Sequence, residues 1–397
     1  MARQKKTEET GTLPEVEKKP AKDGAALSSA LKSIKKQYGN WSAGIMSDAD
    51  WPDVKEWIST GSIWLNSIIK EGLGFAGYPV GRVSSLQGLS GTGKSYLAAL
   101  AIAEAQRMGF LCILFDSEMA ADTTFLTSLG VDVDKLVYIA VQDCEMFFEI
   151  FATLLALDEK LFVVWDTPAN TKAREEDGKS FSPGSTMALK ARTISKGFAK
   201  IFDLIMEKRP TVLICNQLKR NLDPNTSMIE PWVTPGGETI KYLSSLTLQL
   251  TTRKAKAHRV LGPNDQQIGS DVKVKIVKSR FGSLNRECAF KIIWNGPEKG
   301  IMDEESWVEA IESSDYLETS GAWYTLYMDD SCTEEKSVRF QRGTFMKVLE
   351  ENPEFKKRVL WVIQEELVNL FQVKASSEKG KKFYNVDDDD ESEESDG

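Results

Sequence analysis

Gly88-Leu89-Ser90-Gly91-Thr92-Gly93-Lys94-Ser95 satisfies the phosphate-loop pattern G-x-x-x-x-G-K-[ST] at every fixed position. Glycines there let the backbone curl until successive N–H groups point at a polyphosphate, and a following helix adds the positive end of its dipole. Lys94 would reach the β- and γ-phosphates, and the Ser95 hydroxyl would take a magnesium ligand position. The flanks favour this reading over an ordinary glycine-rich turn: Arg82 to Gln87 reads as a short strand, and Tyr96 to Met108 as a helix.

Downstream, apolar runs alternate with helical stretches. Leu111 to Phe115 precedes a helix over Thr123 to Gly130; Leu136 to Val141 precedes one over Cys144 to Leu157; Leu161 to Trp165 and Thr211 to Cys215 are further strands. Nearly continuous apolar strands separated by helices predict a parallel sheet covered on both faces. Leu246 to Thr251, Val272 to Val277 and Ala289 to Trp294 lack clear intervening helices, so the sheet is expected to finish antiparallel. Two polar segments, Thr171 to Ser185 and Leu218 to Pro235, follow strands on the carboxyl edge, where open α/β sheets bind ligands.

The 397 residues, 41% hydrophobic, suffice for two or three domains. The formal charge of −9 argues against a nucleic-acid partner until its distribution is considered. Asp387 to Gly397 holds eight acids and no base, which leaves −1 for the rest. Five scattered cysteines without a C-x-x-C pair, and a single histidine, His258, disfavour structural zinc and a disulfide framework. No apolar run reaches the roughly 18–20 residues of a membrane span, and the charged amino terminus has no signal-peptide core. A cytoplasmic protein with no membrane partner is expected.

Several side chains then become candidates for chemistry. Leu161-Phe162-Val163-Val164-Trp165-Asp166 is an apolar strand ending in an acid that can hold magnesium. Leu111 to Phe115 is expected beside the phosphate-loop strand, so that Glu118, in Asp116-Ser117-Glu118, emerges near the γ-phosphate, where a carboxylate can position the attacking water. A solvated loop acid is the alternative. Gln217 closes another strand and could sense the γ-phosphate. From Arg253 to Arg286 nine bases face two acids, a surface for a polyanion or simply a solvated strand face. On the helix from Met187 to Glu207, apolar Ala191, Ile194, Phe198, Ile201 and Ile205 share one face and leave Lys190, Arg192, Lys196 and Lys200 for phosphate contacts.

The organisation expected is a disordered segment over 1–24, a packing helix and linker over 25–56, an ATPase core over 57–296, a small α+β domain over 297–373 and an acidic disordered tail over 374–397. In the helix, Leu27, Ala30, Leu31, Ile34 and Tyr38 recur at helical spacing, and Gly39 stands at the C-cap. The segment Trp57 to Val80 reads as a helix and a turn. In the small domain, Trp307 to Ile311, Thr344 to Leu349 and Phe355 to Phe371 read as helices, and Trp323 to Tyr327 as a strand. The tail's eight negative charges could cover a basic surface until another polyanion displaces them, or simply keep the chain in solution.

These pieces, with Ile58 to Ser62, Leu129-Gly130-Val131-Asp132, Asn216-Gln217, Gly236-Gly237 and Gly321-Ala322-Trp323-Tyr324 in one order, resemble the RecA-type homologous recombinases, most nearly the bacteriophage recombinases of the UvsX kind. The resemblance runs from about Ala25 to Phe371. It implies a RecA-like fold and a protein that polymerises on single-stranded DNA with ATP and Mg2+, pairs it with homologous duplex, exchanges strands, and works with single-strand-binding and loading proteins. It implies that Glu118 activates the hydrolytic water and that Gln217 is the γ-phosphate switch. Phe125 would stack on adenine, with Tyr96 nearby and Asp122 at the base edge. Lys278 and Arg280 would reach the ATP of the adjacent subunit, Arg280 standing where bacterial members have lysine. The two polar segments would be DNA loops, with Lys172, Arg174, Lys179, Lys219, Arg220, Gly236 and Gly237 in or beside them, and Arg192 a DNA contact. The first loop is longer and more charged than in bacterial members, with Glu175, Glu176 and Asp177 among its bases. A RecA-fold ring helicase or other DNA-stimulated motor shares the nucleotide motifs and is the rival reading, but it would need a different amino-terminal domain.

Overall fold

The computed structural model describes residues 23–39, 42–44, 53–70, 76–175, 183–221, 232–253, 259–296, 299–312 and 314–364. The expectations for the amino-terminal segment, Lys179 and the first loop's acids 176 and 177, Lys254, Lys256, His258 and the acidic tail lie outside them.

The chain divides into two units, Met1–Asp53 and Val54–Gly397. In the first, α1 (Asp23–Tyr38) ends on Gly39, whose φ of +97° is open to glycine and whose N–H bonds back to Lys35 at 2.9 Å. Leu27, Ile34 and Tyr38 are exposed.

The second unit opens with β1 (Trp57–Ile58), α2 (Ile63–Ile69) and β2 (Tyr78–Pro79); β1 and β2 pair antiparallel, a ribbon the sequence had not signalled because each strand has only two residues. Next come β3 (Val83–Gly88), α3 (Lys94–Arg107), β4 (Leu111–Asp116), α4 (Thr123–Ser128), β5 (Leu136–Ala140), α5 (Cys144–Leu155), β6 (Leu161–Asp166), α6 (Pro183–Lys208) and β7 (Thr211–Gln217). Helix α6 starts inside the segment expected as a loop. Then follow β8 (Lys219–Arg220), β9 (Trp232–Val233), α7 (Glu238–Leu243), β10 (Leu246–Thr252), β11 (Arg259–Leu261), β12 (Gln267–Ser279), β13 (Glu287–Ile293) and β14 (Gly300–Met302).

The main sheet has the order β14-β13-β12-β10-β3-β7-β6-β4-β5, with β11 on β12. Strands β10, β3, β7, β6, β4 and β5 run parallel, and β12, β13 and β14 continue antiparallel, as the missing helices predicted. One expectation is corrected: β4 is not beside β3, because β7 and β6 stand between them. Apolar periodicity identifies a strand, but carries no information about which crossover returns it to which neighbour.

The apolar runs explain the double covering. Because strand side chains alternate, Cys112, Leu114, Phe162, Val164, Leu213 and Cys215 join the core beneath α3, whereas Ile113, Phe115, Val163, Trp165, Val212 and Ile214 join that beneath α5 and α6. On the latter face Trp165 stacks on Phe147 at 3.8 Å, and Phe148 meets Phe198 edge-on at 5.0 Å.

The remaining elements are α8 (Trp307–Ile311), β15 (Leu317–Ser320), β16 (Trp323–Tyr327), β17 (Ser337–Gln341), α9 (Phe345–Glu351) and α10 (Pro353–Gln364). The sequence reading found only β16 of the three-stranded sheet. Leu317 in β15 and Phe340 in β17 are the single buried residues of their strands, too few to set an alternation. Asp303 links this region to α2: it accepts from Ser62 Oγ (2.8 Å), Trp64 N (3.0 Å) and Trp307 Nε1 (3.1 Å). Ser62 is itself the N-cap of α2.

Candidate nucleotide site and nucleic-acid interface

The phosphate loop joins β3 to α3 at the carboxyl edge of the parallel strands. Gly91 and Gly93 have φ of +72° and +92°, and a Cβ at Gly93 would come within 2.5 Å of Ile292 Cδ1. The loop lines a cleft of about 290 Å³. Ser90, Gly91, Gly93, Lys94, Ser95 and Tyr96 form one side, and Glu118, Asp166, Thr167 and Gln217 approach from three other strands or their loops. Gly88 leaves room for Thr92: a Cβ at Gly88 would lie 2.4 Å from Thr92 Oγ1, which donates to Leu89 O.

Lys94 is buried and donates to Leu89 O (2.7 Å) and Gly88 O (3.1 Å), so its ammonium is folded onto the loop's own carbonyls. Burial lowers its pKa, opposed by the Cys215, Asp166 and Glu118 charges. Burial also pushes Asp166 up to about 6, against the bond from Ser95 Oγ and the nearby Lys94 charge. Gln217 is the register partner of Gly88, which places it beside the loop.

Glu118 reaches the cleft even though β4 is three strands from β3. The buried Asp116 carboxylate organises its turn, accepting from Glu118 N (2.8 Å), Ala121 N (3.0 Å) and Tyr138 Oη (3.2 Å). Ser117 Oγ donates to Thr167 O and accepts from Thr167 N, tying this turn to the end of β6. The sequence reading gave Asp116 no role of its own; its signal was an aspartate two residues before Glu118, the pattern of an Asx turn. Val272, Ile292 and Trp294, from the antiparallel end of the sheet, also line the cleft. Nothing local in the sequence marked them.

Phe125 meets Tyr96 edge-on at 5.8 Å, and Tyr96 Oη donates to Ile293 O at 3.0 Å. Asp122 Oδ1 accepts from Phe125 N at 2.7 Å and so N-caps α4.

Mg2+ takes one or two carboxylates with substrate phosphates and water rather than an all-protein cage. Among the described residues no cluster of three or more acidic, histidine or cysteine side chains could hold a metal, whereas Ser95 Oγ and Asp166 Oδ2 sit 2.7 Å apart in the cleft. That donor set fits Mg2+ bound with a nucleotide.

Lys278 and Arg280 stand away from this cleft. Lys278 pairs with Thr247, itself the partner of Ser85, so it lies level with a residue three positions before Gly88, about 10 Å down the sheet. There Lys278 Nζ donates to Lys241 O and Tyr242 O, and Arg280 to Tyr242 O at 3.3 Å, at the carboxyl end of α7. Burial, then Arg280 and Lys241, lowers the Lys278 pKa.

The residues expected at nucleic acid fall into different settings. Arg192, Lys172, Lys219 and Arg220 are exposed; Lys219 and Arg220 pair with Val233 and Trp232 in a short ribbon. Arg174 is held: its guanidinium grips Glu149 through both terminal nitrogens, at 2.8 and 2.9 Å, and Asp143 through Nε at 3.0 Å. Gly236 and Gly237, at φ of +97° and +76°, lead into α7, with Gly237 against Ala191 of α6. In the basic stretch Lys273 pairs with Glu287 and Arg253 with Asp271.

A family model described as the RecA N-terminal domain matches residues 25–301. Protein RecA of Haemophilus ducreyi is 29% identical over 373 residues, covering 93% of this chain and 92% of its own length. Protein RecA of Colwellia psychrerythraea is 30% identical over 84% of this chain and 90% of its own, and that of Rubrobacter xylanophilus 30% over 86% and 93%. With the phosphate-loop cleft at the carboxyl edge of its mostly parallel sheet, the chain belongs to the RecA family of DNA-dependent, ATP-binding ATPases and homologous recombinases.

Proposed function

We propose that the protein polymerises on single-stranded DNA with ATP and Mg2+, pairs it with homologous duplex and exchanges strands, in the manner of the phage recombinases of the UvsX kind. The observation that carries this reading is the separation within one chain of two halves of a site. The phosphate loop, Glu118 and Gln217 line one cleft, while Lys278 lies about 10 Å away toward the amino edge of the sheet and, with Arg280, is bonded to carbonyls at the end of α7. Cations so placed cannot serve their own chain's nucleotide, but they can complete that of a neighbour in a head-to-tail filament.

In this reading the loop amides and Lys94 hold the phosphates, Lys94 exchanging its two carbonyl partners for the β- and γ-phosphates. Ser95 and Asp166 hold Mg2+, which when bound neutralises charge on the phosphate oxygens. Glu118 orients the attacking water, and Gln217 reports the γ-phosphate to the segment that ends at Pro235. That segment is fastened to the strand by the bond from Asn216 Nδ2 to Pro235 O at 2.8 Å. Arg192, Lys172, Lys219 and Arg220 contact DNA phosphates, and Arg174 anchors the base of the first loop.

A DNA-pairing assay with and without ATP, accompanied by electron microscopy, tests this. Expected are ATP-dependent joint molecules and continuous filaments on single-stranded DNA. Closed rings without pairing would favour the motor reading instead.

A further inference from the structure

The structure points to a residue that no phosphate-binding motif contains. Asn170 Nδ2 donates a 2.9 Å hydrogen bond to Glu118 Oε1, joining loops 52 positions apart. The turn that carries Asn170 is fixed. Thr167, Ala169, Thr171 and Ala173 are buried, and Asn170 alone among residues 167–171 is exposed, on the side of Glu118. Asn170 N donates to Thr167 O, Thr171 Oγ1 to Pro168 O, and Lys190 Nζ of α6 to Ala169 O at 2.8 Å. Beyond the turn, Lys172 O accepts from Cys144 N, and Arg174 grips Glu149.

We propose that Asn170 is a positioning residue for ATP hydrolysis: its amide holds one oxygen of Glu118, leaving Oε2 to orient the water. This rests on the assignment of Glu118 above. Glu118 is an exposed side chain with three rotatable bonds, and its backbone is fixed by Asp116 only as far as the amide. A carboxylate that must place water near a phosphorus atom loses most of its advantage if it swings freely. The bond from Asn170 supplies the missing constraint, and it does so from the turn that leads into the first DNA loop and is tied to α6. The carboxylate is thereby registered against the nucleic-acid side of the molecule.

The test is steady-state ATP hydrolysis by the full chain on poly-dT, with ATP affinity and DNA affinity measured in parallel using a non-hydrolysable ATP analogue. Asn170→Ala is expected to lower kcat roughly tenfold, the loss typical of a hydrogen bond to a charged group, while KM and DNA affinity stay within about twofold. Asn170→Asp, which sets like charges together, should lose more, and Asn170→Gln, which keeps the amide, should recover part of the rate. A kcat for Asn170→Ala within twofold of wild type, a parallel loss of ATP or DNA affinity, or a rise in the DNA-free rate would each overturn the assignment. If poly-dT does not stimulate the wild type, or if Glu118→Gln turns over normally, the reading of Glu118 fails and the inference with it. If those two controls behave and only Asn170→Ala is normal, the inference alone fails.

Discussion

Ser95 Oγ donates a 2.7 Å hydrogen bond to Asp166 Oδ2, joining the first residue after the phosphate-loop lysine to the last residue of a strand 71 positions later. The pair is the meeting point of the two nucleotide motifs, and its donors suit a divalent ion shared with phosphate.

Substituting this pair should therefore act through the metal. Ser95→Ala and Asp166→Asn are each expected to weaken nucleotide binding roughly 10- to 100-fold in Mg2+ and far less in EDTA. Titration of a fluorescent ATP analogue in the two conditions reads the difference. Equal losses in both would move the metal elsewhere.

Lys94 and Glu118 should separate binding from turnover. Lys94→Ala is expected to lose ATP affinity, because the buried ammonium is the loop's cation. Glu118→Gln is expected to retain nucleotide and DNA binding while hydrolysis falls by about 10²-fold or more. Normal hydrolysis by Glu118→Gln would reassign the water to another acid.

Lys278 and Arg280 should matter only in the assembled state. Arg280→Ala is expected to leave ATP binding by dilute monomers unchanged, and to reduce DNA-stimulated hydrolysis and filament formation. Nucleotide titration at low protein concentration, set beside sedimentation with DNA, decides. A loss in the monomer would place the residue in cis.

Gly197 packs against Phe148, where an added Cβ would fall 2.1 Å from the ring. Gly197→Ala must push α6 off α5, at a cost of about 1–3 kcal/mol. Urea denaturation should show a lower midpoint, and unchanged stability would mean that the helices separate without penalty.

Asp303 gives a pH dependence of known sign. Burial raises its pKa in the folded chain, against the bonds from Trp307, Ser62 and the Trp64 amide. A folded value above the unfolded one contributes stability in full below the unfolded value, and that contribution is lost as pH rises through the folded value. The stability of wild type relative to Asp303→Asn, taken as wild type minus variant, should therefore fall as pH rises through that window. Denaturant midpoints of the two proteins across it provide the check, and a constant or rising difference would contradict the assignment.

Much of the core was legible because its signals are local. The phosphate loop needs particular residues at fixed spacing, and strands buried on both faces need unbroken apolar runs; both appear directly in Gly88 to Ser95 and in Leu161 to Trp165. The C-cap at Gly39 and the antiparallel finish of the sheet were legible for the same reason. Strand order was not: the sheet places β7 and β6 between β3 and β4, a matter of how crossovers pack rather than of any residue's preference. Tertiary structure alone decided that Glu118 reaches the cleft from three strands away, that Asn170 holds it, that Arg174 is gripped by Glu149, and that Lys278 lies down the sheet from its own phosphate loop. Each is a relation between residues distant in sequence. Pattern and spacing specify what a segment becomes, but only the packed sheet specifies what it faces.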